Sequence, residues 1–578
     1  MTVDGQWLLM APLAPVLTAL LLLGHPPLRR LALTLAPWAA LPALVIALLP
    51  LAFSPSYLPA VLLNTQVGLD DTGRMFLLLS AWVWWVGGLH AARTIAQPER
   101  LGFFIFFLLA MAGNLGATIA NGVVEFYCCF ALMSFAAYGL VIHDRHPQAL
   151  RAGRIYMMFV VAGEVALLSA LMLMVHSAQG DGFESMRAAV AQAEQRDLIT
   201  LLVIVGLGIK LGLPGLHVSL PLIYRAAPVP AAAVLAGAMI NVGLLGWLRL
   251  LPLGQIALES WGAALMVLGL VAAFYGVAVG LTQRDAKSLL AYSSMSQMGV
   301  ITTAVGLGLS APQGWPQILV AITLYAVHHG LAKAALFLGL GVARSCPDAR
   351  HWRWLVSAGL FLPALALAGA PLTSGMLAKT LLKAQTGLAP APWVDVLGWL
   401  LPLTALATMV LVVRFLYLAW PCPGGAETNT VPRNLLSWGG LLAASLLLVW
   451  FLSPPMRVAW LSFSPWWASL WPVLTGAAMA AIISKIVHRY KISVPEIPAG
   501  DLIVLFEAVI RILSKAVGWL TVKQLPRWLV QMMNFGTTRV PRVHWQAQLD
   551  AVEAGLVRWP VAVTLFLLVV LVLMFWLG

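Results

Sequence analysis

Apolar runs long enough to cross a lipid bilayer recur along the whole of this sequence. Two examples are residues 31–53 and residues 561–577, and each approaches or exceeds the roughly 17 to 25 residues that a helix needs to span the hydrocarbon core. Hydrophobic residues make up 61% of the 578 positions and charged residues only 10%, a balance that soluble globular chains of this length do not have. The sequence therefore predicts an all-α polytopic membrane protein with about 16 transmembrane helices.

The net charge of +13 reflects basic residues in the short loops between these runs. Because Arg and Lys are spread over alternate loops rather than clustered on one polar domain, we expect no nucleic-acid partner. The positive-inside rule accounts for the alternation when the N-terminus is placed outside. We therefore expect a multi-pass protein of a bacterial-type inner (cell) membrane, in contact with the lipid bilayer.

The chain has four cysteines, and they form no CxxC pair and no zinc-ligand spacing. We therefore expect no iron–sulfur cluster, haem or structural zinc, and so no cofactor and no metal. A chain of this kind is expected to have no catalytic centre of its own. Any redox chemistry would belong to partner subunits.

Glycine and proline interrupt two of the apolar spans. The seventh span contains GLPG at residues 212–215, and the twelfth contains GAPLTSG at residues 369–375. Interrupted helices at corresponding places in two halves are typical of transporters built from inverted repeats, with the site near the bilayer midplane. Five spans separate the breaks, which predicts two inverted five-helix repeats, formed by spans four to eight and nine to thirteen.

Two further segments complete the predicted organisation. Alternating polar and apolar residues at 54–71 predict a hairpin on the outer face. From residue 493 onward, charges alternate with apolar groups at helical spacing, which predicts an amphipathic lateral helix region along the membrane or against neighbouring subunits. The predicted segments are 1–95 (N-terminal helices and outer hairpin), 96–252 (first inverted repeat), 253–420 (second inverted repeat), 421–492 (spans 14 and 15), 493–557 (amphipathic lateral segment) and 558–578 (final transmembrane helix).

Lys210 lies deep inside an apolar span, beside the first break. A charged lysine at the centre of a membrane helix costs about 2.5 to 3.5 kcal/mol on insertion scales, so such residues usually face a protein interior or a hydrated cavity and have a function. A structural ion pair that holds two helices together is the alternative. We favour the functional interpretation.

Several other ionisable residues also lie inside apolar spans. His329 and Lys333 are four residues apart in one apolar span and share a helix face, which sets a group that titrates near neutrality beside a cation. His217 follows the first break and Lys379 follows the second. His328 points elsewhere and is expected to pack. A lone buried histidine is more often a satisfied core residue than a relay, so both interpretations stay open for His329.

Two acids also lie within apolar spans. Glu125 is near the start of its run and could reach the outer interface, whereas Glu164 is deeper. A carboxylate 4 Å from Lys210 would interact with it by about 4 kcal/mol at an effective dielectric of 20. Bringing the acid close would hold the lysine protonated, and moving it away would release the proton. Such a pair is a proton switch.

Four stretches of the sequence carry a shared pattern, in chain order GIKLGLPGLHVSLPLIYRAAPVPAAAVLAGAMINVG, QRDAKSLLAYSSMSQMG, HHGLAKAALFLGLG and LAGAPLTSGMLAK. They resemble the proton-conducting antiporter-like family. This family includes the large membrane subunits of respiratory complex I, of membrane-bound hydrogenases and of multisubunit cation/proton antiporters. The stretches cover roughly spans three to thirteen, and the C-terminal arm resembles the lateral arm of the distal complex I subunit and its hydrogenase relatives.

The resemblance implies a role for individual residues. Lys210 matches the central lysine of the broken seventh helix, and His217 matches the histidine that closes its motif. His329 and Lys333 match the eleventh-helix pair of a central hydrophilic axis. Lys379 matches the ionisable residue on the broken twelfth helix, which is associated with the exit side. The resemblance implies that protons are transferred along these groups and the waters between them.

The sequence departs from the family on the fifth helix. Relatives carry there a glutamate that pairs with the central lysine, in a context like FYxxxELMSLxSYxL, but FYCCFALMSFAAYGL has Ala131 at that position. Glu125 is six residues earlier and about 120° away around the helix, so our hypothesis for the replacement is Glu164 on the sixth helix. The opposing hypothesis is that the switch is lost. Asn241 also stands where some relatives have an eighth-helix lysine.

These features favour a proton-translocating membrane subunit of a redox-driven energy-converting complex. It would be a non-redox subunit of an NADH:quinone oxidoreductase-like or hydrogenase-like assembly, with other membrane subunits and soluble subunits as partners. Three alternatives stay open: a cation/proton antiporter module, the membrane subunit of an inorganic-carbon uptake system, and a non-conducting structural anchor.

Overall fold

The computed structural model describes residues 2–58, 65–178, 182–347, 349–421, 434–452, 463–492 and 494–503. Met1–Leu58 and Thr65–Ala499 form one unit, which contains the candidate site. A second unit consists of Pro59–Asn64 and Gly500–Gly578, and almost all of it lies outside the described residues. The predicted lateral segment after residue 503 and the final transmembrane helix lie there too.

Helices dominate the described residues. In chain order the α-helices are α1 (Met10–Leu22), α2 (Pro26–Leu35), α3 (Leu41–Leu48), α4 (Asp71–Thr94), α5 (Arg100–Ile119), α6 (Val123–Val141), α7 (Pro147–Ser177), α8 (Phe183–Gln192), α9 (Arg196–Leu211), α10 (Ser219–Ala226), α11 (Val229–Val234), α12 (Ile240–Leu250), α13 (Glu259–Thr282), α14 (Ala286–Ser310), α15 (Trp315–Arg344), α16 (Arg350–Ala368), α17 (Ser374–Ala384), α18 (Trp393–Leu418), α19 (Leu435–Phe451) and α20 (Phe463–Arg489).

Four short strands lie before and after the first three helices. They are β1 (Thr2–Asp4), β2 (Ala52–Ser54), β3 (Ser56–Leu58) and β4 (Thr65–Val67). β1 pairs in parallel with β2, and β3 pairs antiparallel with β4, with Tyr57 opposite Gln66. The antiparallel pairing of β3 with β4 agrees with the hairpin predicted over residues 54–71, and its place on the outer face stays a prediction.

The prediction of a polytopic all-α membrane protein is confirmed, whereas the number sixteen stays a prediction. The two interrupted spans do not count as single spans, because each break divides its span into shorter helices. Eleven helical stretches of the described residues are long and apolar enough to cross a membrane: Gly5–Leu22, Pro26–Leu48, Asp71–Thr94, Gln97–Ile119, Val123–Val141, Pro147–Ser177, Val229–Leu250, Glu259–Thr282, Pro312–Arg344, Trp393–Leu418 and Pro465–Arg489.

Both predicted helix breaks are present. α9 ends at Leu211 because Gly212 adopts a left-handed conformation with φ of 75°, which glycine accepts without steric cost. α16 ends in the same way at Gly369, with φ of 85°. After the second break, the Thr373 side chain accepts a hydrogen bond from the Met376 N–H and so caps α17. Each interrupted span therefore has a helix C-terminus inside the protein.

The packing order of the helices repeats along the chain. α5 packs on α6, α6 on α7, and α7 on both halves of the first interrupted span, α9 and α10. In the same order α13 packs on α14, α14 on α15, and α15 on both α16 and α17. The pairs α9 with α12 and α16 with α18 continue the correspondence. This pattern agrees with two five-helix repeats, and their inversion and exact boundaries stay predictions.

The two central helices of the unit are α14 and α15. Every residue of α14 is buried, and nearly all of α15 is buried as well. A helix that is buried on all sides belongs to the core of a large or membrane-embedded protein. α14 carries a row of Ser, Thr and Gln side chains as well as apolar ones, so the core of the protein contains many polar groups.

An ion pair at one helix end connects α4 to α12. Asp70 is the N-cap of α4, and its carboxylate accepts a hydrogen bond of 2.8 Å from the Gly73 N–H. Arg249, in the last turn of α12, binds the same carboxylate with both terminal nitrogens, one of them at 2.7 Å. Burial raises the pKa of Asp70, but the hydrogen bonds and charge of Arg249 outweigh that effect and hold the pKa below its usual range.

This ion pair makes stability depend on pH. Asp70→Ala removes a helix cap and an ion pair, and should lower the free energy of unfolding by about 1 to 2 kcal/mol near neutral pH. Because the pKa of Asp70 is lowered in the folded state, its stabilising effect is present above the pKa of the unfolded state and is lost as pH falls through the folded-state pKa. Thermal unfolding in detergent at several pH values measures both effects.

The neighbouring Asp71→Ala variant is the control. Asp71 is exposed and carries the same charge in the same helical turn, but it is not the N-cap. We expect Asp71→Ala to shift the unfolding temperature much less than Asp70→Ala does. Equal shifts for the two variants would show that the ion pair with Arg249 contributes nothing specific.

Candidate functional site

The amino group of Lys210 is held between two neighbouring helices. Lys210 lies in the last turn of α9, next to the first break. Its Nζ donates hydrogen bonds to Ser134 Oγ at 3.2 Å, on α6, and to Tyr156 Oη at 3.0 Å, on α7. A cation is also favourable in the last turn of a helix, because the unpaired carbonyl groups there carry partial negative charge.

The hydroxyl of Tyr156 is oriented so that it can accept from the lysine. Its O–H donates to the backbone carbonyl oxygen of Ser134 at 2.9 Å, which leaves the oxygen lone pairs for Lys210. The Lys210 Nζ also lies 5.4 Å from the centroid of the Tyr156 ring and 5.7 Å from that of the Phe130 ring. Aromatic faces at this distance attract a cation. Neutral oxygens and aromatic rings therefore surround the amino group.

Ser134 is the residue of α6 that accepts a hydrogen bond from Lys210. α6 is the predicted fifth span, on which Ala131 stands at the position of the family's glutamate. The two residues are three positions apart on α6, so they lie on neighbouring turns of the same face. Sequence reasoning missed both Ser134 and Tyr156. The available signal for Ser134 was its place inside the quoted motif FYCCFALMSFAAYGL, one helical turn after the position of the missing glutamate.

Glu164 and Lys210 line the same cavity. The cavity has a volume of about 30 Å³, counted as the space open to the centre of a water molecule, which is enough for about two waters. The Glu164 side chain is buried and interacts electrostatically with Lys210. Among the described residues neither carboxylate oxygen of Glu164 has a hydrogen-bond partner, so Glu164 and Lys210 do not form a hydrogen-bonded ion pair. The polar residues that line the cavity are Ser134, Tyr156, Glu164, Lys210, Ser219 and Tyr224.

A π-helical turn forms one wall of this cavity. It runs from Leu235 to Met239 between α11 and α12, and both of these residues line the cavity. The Asn241 side-chain amide donates to the Gly237 carbonyl oxygen at 2.8 Å, so Asn241 stabilises the π turn instead of contributing a charge. Single π turns inside α-helices are frequent at functional sites.

His329 and Lys333 lie at the core of the unit, on α15. Both side chains are fully buried. Lys333 Nζ donates to the Leu290 carbonyl oxygen of α14 at 3.0 Å. Neither ring nitrogen of His329 has a hydrogen-bond partner among the residues that the structure describes. In the pair His329 and Lys333, the lysine therefore has a backbone acceptor, and both ring nitrogens of the histidine are without a hydrogen-bond partner among the described residues.

His217 lies between the first interrupted span and the second set of helices. Its ring is buried, with its centroid 5.7 Å from that of Tyr275 on α13 and 6.3 Å from that of Tyr292 on α14. Tyr292 is two residues from Leu290, whose carbonyl oxygen accepts from Lys333. His217 therefore lies against α13 and α14.

Lys379 occupies a second cavity at the second break. Its Nζ donates to the Ala368 carbonyl oxygen at 3.1 Å, one of the carbonyls that the end of α16 leaves without a helical partner. The cavity measures about 50 Å³ by the same criterion, and Lys383 and Tyr325 also line it. Tyr325 Oη donates to Gln297 Oε1 at 2.9 Å, which extends the polar groups into α14.

Glu125 is separate from both cavities. Its buried carboxylate accepts a hydrogen bond from the Gln66 N–H of β4, so it connects the start of α6 to the β3–β4 hairpin. Among the described residues, no three His, Cys, Asp or Glu side chains lie close enough together to hold a metal ion. The structure thus brings together Lys210 with Glu164 and His329 with Lys333, and leaves Glu125 apart.

Two curated proteins are similar to this chain over part of its length. One is hydrogenase-4 component B of Escherichia coli (strain K12), 28% identical over 361 residues, which are 58% of this chain and 52% of that protein. The other is Na(+)/H(+) antiporter subunit A1 of Staphylococcus aureus (strain JH9), 25% identical over 393 residues, which are 62% of this chain and 48% of that protein. The chain thus spans about half the length of these relatives.

A solved structure and a family model complete the comparison. The structure of the Mrp complex from Dietzia sp. DQ12-45-1b matches with a TM-score of 0.72 and 21% identity, over 93% of this chain and 63% of that one, so the fold is shared. The family model described as NADH:quinone oxidoreductase/Mrp antiporter, TM, matches residues 120–403, the region that holds all the ionisable residues named from the sequence. Over these residues, about half of its length, the chain is similar to the family of antiporter-like membrane subunits.

Proposed function

We propose that this chain translocates protons through the membrane part of a larger complex, and that Lys210 and Glu164 form its proton-accepting pair. The observation that carries the proposal is the shared cavity, which is lined by both Lys210 and Glu164 and has space for water. An intramembrane lysine and glutamate around a hydrated cavity are typical of proton pathways. Water between them can carry a proton without a direct ion pair.

The acceptors of Lys210 suit a group that gains and loses a proton. Ser134 Oγ and Tyr156 Oη are neutral, so they can accept from both the ammonium and the neutral amine. A carboxylate in direct contact would instead favour the charged form strongly. Because Glu164 lines the same cavity and interacts with Lys210, small changes in their separation would alter the charge of the lysine.

The remaining ionisable groups extend the proposed path toward the second break. His217 faces α13 and α14, Lys333 is bonded to α14, and Lys379 is bonded to the end of α16. Tyr325 lines the cavity of Lys379 and donates to Gln297 of α14. In this proposal the proton passes from the Lys210 cavity, by way of α14 and α15, to the cavity of Lys379.

We propose a redox-driven assembly as the setting of this subunit. The similarity to hydrogenase-4 component B supports this choice, and the chain's own membrane and soluble partners would then perform the electron transfer. The similarity to Na(+)/H(+) antiporter subunit A1 supports a second candidate function, cation/proton antiport.

Replacing Lys210 tests conduction directly. The full chain, purified with the subunits that accompany it, is reconstituted into vesicles that contain a pH-sensitive dye, and a potassium diffusion potential drives proton entry. Lys210→Met should lower the proton flux by about 100-fold, the magnitude typical of losing a proton-transfer group. Lys485→Met is the matched control, because Lys485 is exposed on α20. A Lys210→Met flux equal to that of the wild type would favour a structural anchor.

Restoring the missing glutamate tests the role of Glu164. Glu164→Gln should reduce the proton flux about tenfold or more. Adding Ala131→Glu to that variant should recover part of the loss, because position 131 is one turn from Ser134, which contacts the lysine. Ala131→Gln in the same background is the control for added bulk. Full flux in Glu164→Gln would exclude Glu164 as the partner of Lys210.

Sodium flux distinguishes a redox-driven assembly from a cation/proton antiporter. In the same vesicles, an imposed proton gradient should drive uptake of radioactive sodium if the chain and its partners form an antiporter. We expect no gradient-driven sodium uptake above that of Lys210→Met vesicles, since the proposed path holds amino and imidazole groups rather than a cluster of oxygen ligands, which sodium prefers. Uptake that depends on Lys210 would support antiport and contradict the redox-driven setting.

A further inference from the structure

His328 is bound to the second helix break. It lies on α15 directly before His329 and is fully buried. The sequence predicts that it only packs, but the structure corrects this: His328 Nδ1 is 2.9 Å from the Oγ of Ser374, the first residue of α17. Ser374 Oγ in turn donates to the Ser445 carbonyl oxygen of α19 at 2.6 Å. Three helices are thus joined by one chain of hydrogen bonds.

This chain of hydrogen bonds determines which ring nitrogen carries the proton. A hydroxyl group has one hydrogen to donate, and a backbone carbonyl oxygen only accepts. Because Ser374 donates its hydrogen to Ser445, its oxygen is the acceptor for His328. The neutral His328 ring therefore carries its hydrogen on Nδ1, and Nε2 is left with a free lone pair.

The free nitrogen lies among other ionisable groups. His328 Nε2 is buried and has no hydrogen-bond partner among the described residues. His328 interacts electrostatically with both His329 and Lys379. The Tyr325 ring packs against it with centroids 6.1 Å apart. A side chain at Gly375 would reach the His328 ring and overlap the Ala366 carbonyl, so α17 passes close to the imidazole.

We propose that His328 is a proton relay between the α15 groups His329 and Lys333 and the Lys379 cavity, and that Ser374 is the positioning residue that fixes its tautomer. The Nε2 lone pair binds a proton that arrives from the His329 side, which gives an imidazolium. The imidazolium releases a proton toward Lys379, and the neutral ring with its hydrogen on Nδ1 is regenerated. This inference rests on the proposed proton translocation and adds a residue to it.

His328→Asn separates the relay from the hydrogen bond. The asparagine amide can donate to Ser374 as Nδ1 does, but it has no basic nitrogen. We expect the variant to assemble normally and to lower the proton flux about tenfold or more. His90→Asn is the matched control, because His90 on α4 is also fully buried, and its flux should equal that of the wild type. Full flux in His328→Asn together with a strong loss in Lys210→Met overturns the relay alone. Full flux in both variants overturns the proposed function as well.

Nitrogen NMR of histidine-labelled full chain tests the tautomer independently of transport. The signal that disappears in His328→Asn should show a protonated Nδ1 and an unprotonated Nε2. Ser374→Ala removes the acceptor, so the same ring should change toward the Nε2-protonated tautomer, and the proton flux should fall while assembly is retained. A wild-type ring protonated on Nε2 overturns the assignment, and so does an unchanged tautomer in Ser374→Ala.

Discussion

The cost of burying amino groups inside an apolar helical unit is the constraint on which the site depends. A buried ammonium or amine must find hydrogen-bond acceptors. Lys210 has two hydroxyl oxygens, Lys333 a carbonyl oxygen of α14, and Lys379 a carbonyl oxygen at the end of α16. In the part of the chain that the structure describes, each of these acceptors is neutral. Neutral acceptors satisfy the nitrogen in either protonation state, which is what a proton-transfer group requires.

The second helix break supplies the backbone acceptor of Lys379, and the first break places Lys210 at a helix C-terminus. A continuous helix uses all of its interior carbonyl oxygens in its own hydrogen bonds. The left-handed glycines Gly212 and Gly369 end their helices inside the unit, so the last carbonyls there become available. Lys210 lies in the last turn before the first break, and Lys379 donates to the last residue before the second.

Much of the fold and part of the site could be predicted from the residues alone. The glycine and proline clusters determine where the helices break, and the spacing of His329 and Lys333 places them on one face. The contact that takes the place of the missing glutamate could not be predicted in this way. Ser134 and Tyr156 are ordinary residues in apolar helices, and they become part of the site only because α6 and α7 pack against α9. His328 is a second example, since its Ser374 partner is 46 positions away.

The sequence by itself determined that the chain crosses the membrane many times, where two spans break, and which side chains can carry charge. These properties follow from local composition and spacing, because lipid forces each span to satisfy its own backbone. Only the tertiary structure decided which oxygen each lysine meets, that Glu164 and Lys210 line the same cavity, and which nitrogen of His328 is free. Such contacts depend on distances between helices that are far apart in the chain, and no local pattern encodes those distances.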